Sequence, residues 1–342
     1  MLSRFPSSKS INSEIFPLGN SRLESNPFER DWNADVPSDR TRLQAAAAEL
    51  GARLADRIPG AVSYACHLTN SGSEAMDAVL EHAYQTRLKA LRAIHDSIGD
   101  QVTDVWLRAV SCTGLKVPGG KPLTEFLDDL EQRNLGALES FEQRPVAFAF
   151  RGSAAGRGVC GVVMKSNPTD RGGYAKTPKV RTVFLEATHP SSLAHAVSVH
   201  RCRFLVPVLA GDRIEVAHRD ESLVFACLLN TQLIANGIGQ LPSSILEWLA
   251  HGREGLPLVI EETQIGCGGE NGFYAFEQTP LRAARPEYVL LSRVLGGWGA
   301  RIGGVLIRSD ILRPEFEVAE KCGDAFSLEV ALAVLDAMES AE

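Results

Sequence analysis

A chain of 342 residues, 44% hydrophobic and 23% charged, is long enough for one large or two unequal domains around a sizeable core. Its formal net charge of -7, with no long Lys/Arg block, argues against nucleic acid as the main partner. Seven scattered cysteines without a C-x-x-C pair, and no apolar run of about 18 residues, argue against a structural zinc site, a disulfide framework and a membrane span; a reduced cytosolic setting is expected.

Residues 1 to 38 are rich in Ser, Asn and Pro and read as an arm or poorly ordered tail. The opening MLSRFPSSKSINSEIF has no apolar h-region, so no secretory signal is expected, and its serines and two basic residues leave an organelle transit peptide open. RLQAAAAELGARLADRI has the spacing of an amphipathic helix, ended by Pro59-Gly60. VSYACHL predicts a short strand, and TNSGSEAMDAVLEHAYQTRLKALRAI a loop opening a long helix. Residues from about 85 to 144 read as helix and loop, divided by a turn at Pro118-Gly119-Gly120.

Beyond it, PVAFAFRG, RTVFLEAT, RFLVPVL, LVFACLLN, PLVIEET and EYVLLS each predict a buried strand, and GGVLIRS one more. SSILEWLAHG predicts a helix with Ser243 or Ser244 as N-cap, and LEVALAVLDAMES a closing helix. Strands apolar on both faces that alternate with helices predict an α/β fold with a mainly parallel sheet, and in such folds ligands gather at the carboxyl ends of the strands.

Three such loops carry candidate chemistry. Thr69 to Ala75, TNSGSEA, follows a strand and opens a helix, so unpaired N–H groups and the helix dipole would favour an anion there. On this motif alone, Ser71-x-x-Glu74 as simply a capping box is the plainer reading. Leu258 to Glu277 ends a strand in Glu261 and Glu262, where a carboxylate could hold a proton on a ring nitrogen; solvated surface acids are the plainer reading. Val289 to Ile307 runs from a strand into a loop with Gly296, Gly297, Gly299, Gly303 and Gly304, which permits close backbone approach to a ligand or serves only as a flexible connection. His195 and His200 are five apart with no acidic partner in register, and no metal site is expected.

Taken in order, these segments resemble class III aminotransferases of the ornithine and 4-aminobutyrate type. LADRIPGAVSYACHLTNSGSEAMDA is similar to that family's strand and phosphate-binding turn. IEETQIGCGGENGFYAFE resembles its D-E-x-Q-x-G motif, and LLSRVLGGWGARIGGVLI its lysine-bearing segment. FRGSAAGRGVCGVV resembles the segment with an aromatic-His pair, and ALAVLDAME also fits. The likeness covers most of residues 45 to 340 apart from a helical insertion at about 85 to 144. It implies a mainly parallel mixed sheet flanked by helices, the large domain of the pyridoxal-phosphate (PLP) transferase fold type I, spanning residues 39 to 342. A dimer with two active sites at its interface is also implied.

The same likeness exposes departures. The family lysine that anchors PLP and then moves protons falls on Arg293, whose guanidinium is neither a nucleophile nor a general base but can pair with a phosphate or carboxylate. The aspartate that holds the pyridine nitrogen falls on Glu261. The ring-stacking aromatic and its neighbouring His fall on Ala154 and Ala155, a glutamate falls on Asn230, and a threonine that reaches a neighbouring subunit's phosphate falls near Ala325. Ser71, Gly72, Ser73 and Gln264 match the family's cofactor-binding positions. The chain ends at Glu342, where the family continues into a small C-terminal domain, so that domain is expected to be reduced or missing.

Three functions follow as expectations. One is a non-transaminating descendant that acts as a scaffold or partner protein, as a homodimer or with another protein. Another is a repurposed enzyme that takes PLP or pyridoxamine phosphate non-covalently, or uses the pocket for an unrelated reaction on a small anionic substrate paired with Arg293. The third is a PLP-dependent transaminase served by Lys165, Lys176, Lys179 or Lys321.

Overall fold

The computed structural model describes residues 40–58, 60–150, 180–185, 189–231, 241–253, 255–262, 273–297, 299–314 and 325–340. The N-terminal arm, Ala154, Ala155, Gln264 with its glycine-rich loop, and the four candidate lysines lie outside these residues.

The first element is α1 (Arg40–Asp56), whose Leu50 and Leu54 are one turn apart and fully buried. Strand β1 (Tyr64–Thr69) leads through Asn70 and Ser71 into α2 (Gly72–Ala109), a helix of 38 residues. A tight turn follows at Pro118–Gly120, where Gly119 and Gly120 take φ of 74° and 66°, the left-handed region in which a Cβ is unwelcome. The chain continues as α3 (Leu123–Gln143), β2 (Val146–Phe150), β3 (Arg181–Leu185) and α4 (Pro190–Val199). Then come β4 (Arg201–Ala210), β5 (Arg213–Ser222), β6 (Val224–Asn230) and α5 (Ser243–His251). Last are β7 (Leu258–Glu262), β8 (Tyr288–Leu291), β9 (Gly303–Arg308) and α6 (Ala325–Glu339).

Seven strands make one sheet in the order β1-β9-β8-β7-β6-β2-β3. β9 runs antiparallel to both β1 and β8, and the remaining neighbours are parallel. This is the mainly parallel mixed sheet of the sequence reading. Strands β2, β6, β7 and β8 are buried throughout because alternate residues feed two apolar layers. Phe148, Leu229, Ile260 and Val289 enter one layer with α1, α5 and α6. Ala149, Leu228, Val259 and Leu290 enter the other with α2 and α3.

Two expectations need correction. RFLVPVL does form a strand, but not a buried one of the main sheet. It is the centre of β4, which pairs antiparallel with β5 in a separate two-stranded sheet. Along β4, Arg201 and Arg203 are exposed while Cys202 and Phe204 are buried, the alternation of a half-covered ribbon. Helix α5 is likewise not capped by a serine side chain. Its N-cap is Pro242, whose carbonyl oxygen accepts from Ile245 N at 2.9 Å, so Ser243 already lies inside the first turn.

One side chain ties the ribbon to the helices. The Asn134 amide, 2% exposed on α3, donates to Leu205 O at 2.8 Å and accepts from Leu205 N at 2.7 Å, continuing the edge of β4 as a neighbouring strand would. Replacing Asn134 with Ala orphans both backbone groups and is expected to cost roughly 1–3 kcal/mol, read by equilibrium denaturation.

Candidate functional site

The sheet brings the candidate loops to one edge. Thr69 at the end of β1 pairs with Gly303, Gly304 pairs with Leu291, and Leu291 pairs with Glu262, so the carboxyl ends of β1, β8, β7 and β6 lie side by side. Ser71 and Arg293, each two residues past such an end, are separated by two strand spacings, about 10 Å.

Ser71 is the N-cap of α2, with extended backbone at φ -165° and ψ 158°. Its Oγ accepts from Glu74 N at 3.2 Å, while Glu74 Oε2 accepts from Asn70 N at 3.1 Å and Asn70 Nδ2 at 3.2 Å. The glutamate therefore reaches one residue beyond the reciprocal capping box, and the serine hydroxyl is committed to capping. The first intrahelical bond runs from Ala75 N to Ser71 O at 3.0 Å. The N–H groups of Gly72 and Ser73 precede it, at the positive end of the helix dipole.

The glycines after β8 are used mainly for packing against protein. A Cβ on Gly303 would stand 2.5 Å from Ser71 O and 2.7 Å from Thr69 Oγ1. A Cβ on Gly296 would stand 2.3 Å from Ala300 O. The close approach read from the sequence is thus one of backbone to backbone, and at Gly303 it seats the α2 turn.

Glu261 and Glu262 point to opposite faces of β7 because a strand alternates. Glu261 shares the face of Val259 and α2, is 5% exposed, and its Oε2 accepts from Asn230 Nδ2 at 3.1 Å. Thr231 secures the strand ends by donating from N (3.1 Å) and Oγ1 (3.0 Å) to Glu261 O. Glu262 faces the other layer and is fully buried. Burial pushes its carboxyl up to about 8, against the opposing pull of the Phe276 and Ala275 N–H groups and Thr231. The sequence did not separate the two glutamates. Only the apolar neighbours two residues back, Val259 against Ile260, carry that signal.

Arg293 follows Ser292, which is buried and donates from Oγ to Ile302 O at 3.1 Å. The Arg293 side chain is exposed. The Gly72 and Ser73 N–H groups and the Glu261 carboxylate have the chemistry that a phosphorylated pyridine requires, donors for its phosphate and an acceptor for a protonated ring nitrogen. Ala325, near which the resemblance sets a phosphate-reaching threonine, opens α6 and is half-buried. Among the described residues no group of three or more His, Cys, Asp or Glu is placed to hold a metal ion, and no helix is long and apolar enough to cross a membrane.

Comparison with known proteins gives a partial likeness to transaminases. No family model matches the chain. A 78-residue stretch is 35% identical to a diaminobutyrate–2-oxoglutarate aminotransferase of Rhizobium meliloti, covering 21% of this chain and 16% of that protein. Among solved structures, an (S)-enantioselective omega-transaminase from Thermomicrobium roseum superposes with a TM-score of 0.52 at 14% identity, over 91% of this chain and 63% of the other. A transaminase from the marine bacterium Virgibacillus gives 0.51 at 13%, over 89% and 60%. The chain therefore spans less than two thirds of the transaminases it resembles. The fold is that of PLP-dependent aminotransferases of fold type I, and the partial relatives point to class III.

Proposed function

We propose that this chain is an aminotransferase-like protein with a degenerate cofactor site, which takes a phosphorylated or otherwise anionic ligand without covalent attachment and does not transaminate. It acts as a binding protein or as a scaffold for a partner. The observation that carries this reading is Arg293, a charged group at the open edge where the fold's covalent anchor belongs. A guanidinium offers a fork of N–H donors for a phosphate or carboxylate and no nucleophile.

The buried Glu261 supports a second reading, in which pyridoxamine phosphate is used as a dissociable cofactor by an enzyme acting on an amino or keto acid. When bound, such a group would supply the electron sink of the pyridine ring. Glu261 would hold the proton on the ring nitrogen, and the α2 N-terminus the phosphate.

Calorimetric titration tests the first reading. Pyridoxamine phosphate is expected to bind at least tenfold more tightly than pyridoxamine, and Arg293→Ala to remove most of that preference. Equal affinity for the two, or amino-group exchange between an amino acid and a keto acid on the purified protein, would overturn it.

A further inference from the structure

We infer that Asn230 is the positioning residue for Glu261: its side-chain amide fixes the carboxylate at the end of β7 and leaves the negative charge for a ligand that brings a ring N–H. The inference rests on the second reading above and adds to it the residue that makes Glu261 selective.

The arrangement follows from the sheet. β6 and β7 are parallel neighbours, and Asn230, the last residue of β6, stands opposite Glu261 in register. Their side chains leave the same face. Asn230 lies two residues past Leu228 and Glu261 two past Val259, and both apolar residues enter the layer of α2 and α3. Asn230 and Glu261 are both buried, and Asn230 Nδ2 donates to Glu261 Oε2 at 3.1 Å. An ionised carboxylate only accepts, so it is the amide nitrogen that faces it. On the other side of Glu261 the residue in register is Leu290 of β8, which is apolar. Of these two lateral neighbours, only Asn230 can hold the carboxylate. Thr231 fixes the base of the amide, because its N donates to Glu261 O at 3.1 Å and locks the strands one residue past Asn230.

The kind of donor decides what is left for a ligand. A guanidinium, such as Arg253 on Glu287, orients a carboxylate and cancels its charge. A neutral amide steadies the ionised form and adds no positive charge of its own. A glutamate side chain has three rotatable bonds, so without the amide Glu261 samples other rotamers and loses its aim. A ligand with a protonated ring nitrogen therefore gains from Asn230, and a ligand without one does not.

The test titrates the purified full chain with pyridoxamine phosphate and with benzyl phosphate, which keeps a ring and a phosphate but lacks the ring nitrogen. The native chain is expected to bind pyridoxamine phosphate at least tenfold more tightly. Asn230→Leu, close in size and without a donor, is expected to remove most of that preference while benzyl phosphate affinity stays within about threefold. Asn230→Ser, one atom shorter, should do the same and guards against a folding defect in the leucine variant. Thr231→Val removes a buried hydroxyl at the same strand end, and should lower stability but leave the preference in place. The positioning role is wrong, while the phosphate-binding edge stands, if the native chain binds both ligands alike or if the preference survives both Asn230 variants. Equal weakening of both ligands by those variants, or loss of the preference in Thr231→Val, has the same meaning. If neither ligand binds, the underlying reading of the edge fails and the role of Asn230 with it.

Discussion

Replacing Glu287 with alanine is expected to cost about 3–5 kcal/mol of folding stability without altering the ligand edge. Glu287 lies just before β8, at the opposite end of the sheet from Arg293. Its Oε2 accepts from Arg253 Nη1 at 2.6 Å and from Leu258 N at 2.7 Å, and its Oε1 accepts from Arg308 Nη1 at 2.9 Å. The three side chains are only 14%, 13% and 19% exposed, so water screens them poorly. Arg253 is held in place as well by Leu256 O and Ala284 O, both at 2.7 Å, and cannot swing out to solvent without breaking those bonds. Removing the carboxylate therefore leaves two guanidinium groups facing one another and the first N–H of β7 unpaired. Breaking one side of such a group is far more damaging than its net worth, because the remaining charges stay desolvated. Glu287→Gln keeps the shape and an acceptor and is expected to lose less. Chemical denaturation of the two variants checks this, and a loss below about 1 kcal/mol in the alanine variant would show the clasp to be no stronger than a surface pair.

The second large effect is a pH dependence set by Glu262. The folded state holds this carboxyl at about 8, above its ordinary value of 4.5, through burial. The folded protein thus binds a proton that the unfolded chain releases between those values. The contribution of this group is fully present below the ordinary value and is lost as pH rises through about 8, at about 1.4 kcal/mol per unit of pH along the way. The predicted loss between pH 6 and 8 is on the order of 2 kcal/mol. Glu262→Gln retains an acceptor for Phe276 N, now 2.9 Å from the carboxylate, and cannot ionise. Its stability is expected to change less over the same interval, and the two stability curves should converge or cross as the solution is acidified. Parallel curves across that interval would mean that Glu262 does not titrate there.

The sequence displayed the sheet well because burial on both faces leaves an unbroken apolar run, as in Val224–Asn230 and Leu258–Glu262. It hid β5, where RIEVAHRDES offers only Ile214 as a buried apolar residue among exposed charges. The turn that opens α2 was legible from Ser71, Gly72 and the helix that follows, since a cap is a local device. Asn134, Glu287 and Ser292 escaped notice because their partners lie 71, 34 and 10 residues away and only the fold brings them together. The glycines of the loop after β8 were visible, but what they approach was not.

The account depends on the absence of a reactive amine at this edge. The most direct measurement is to incubate the purified chain with PLP, reduce with borohydride, and map any modified residue by mass spectrometry. The prediction is an unmodified chain at PLP concentrations that saturate binding. A stoichiometric pyridoxyl group on one lysine, accompanied by exchange of amino groups with a keto acid, would contradict it.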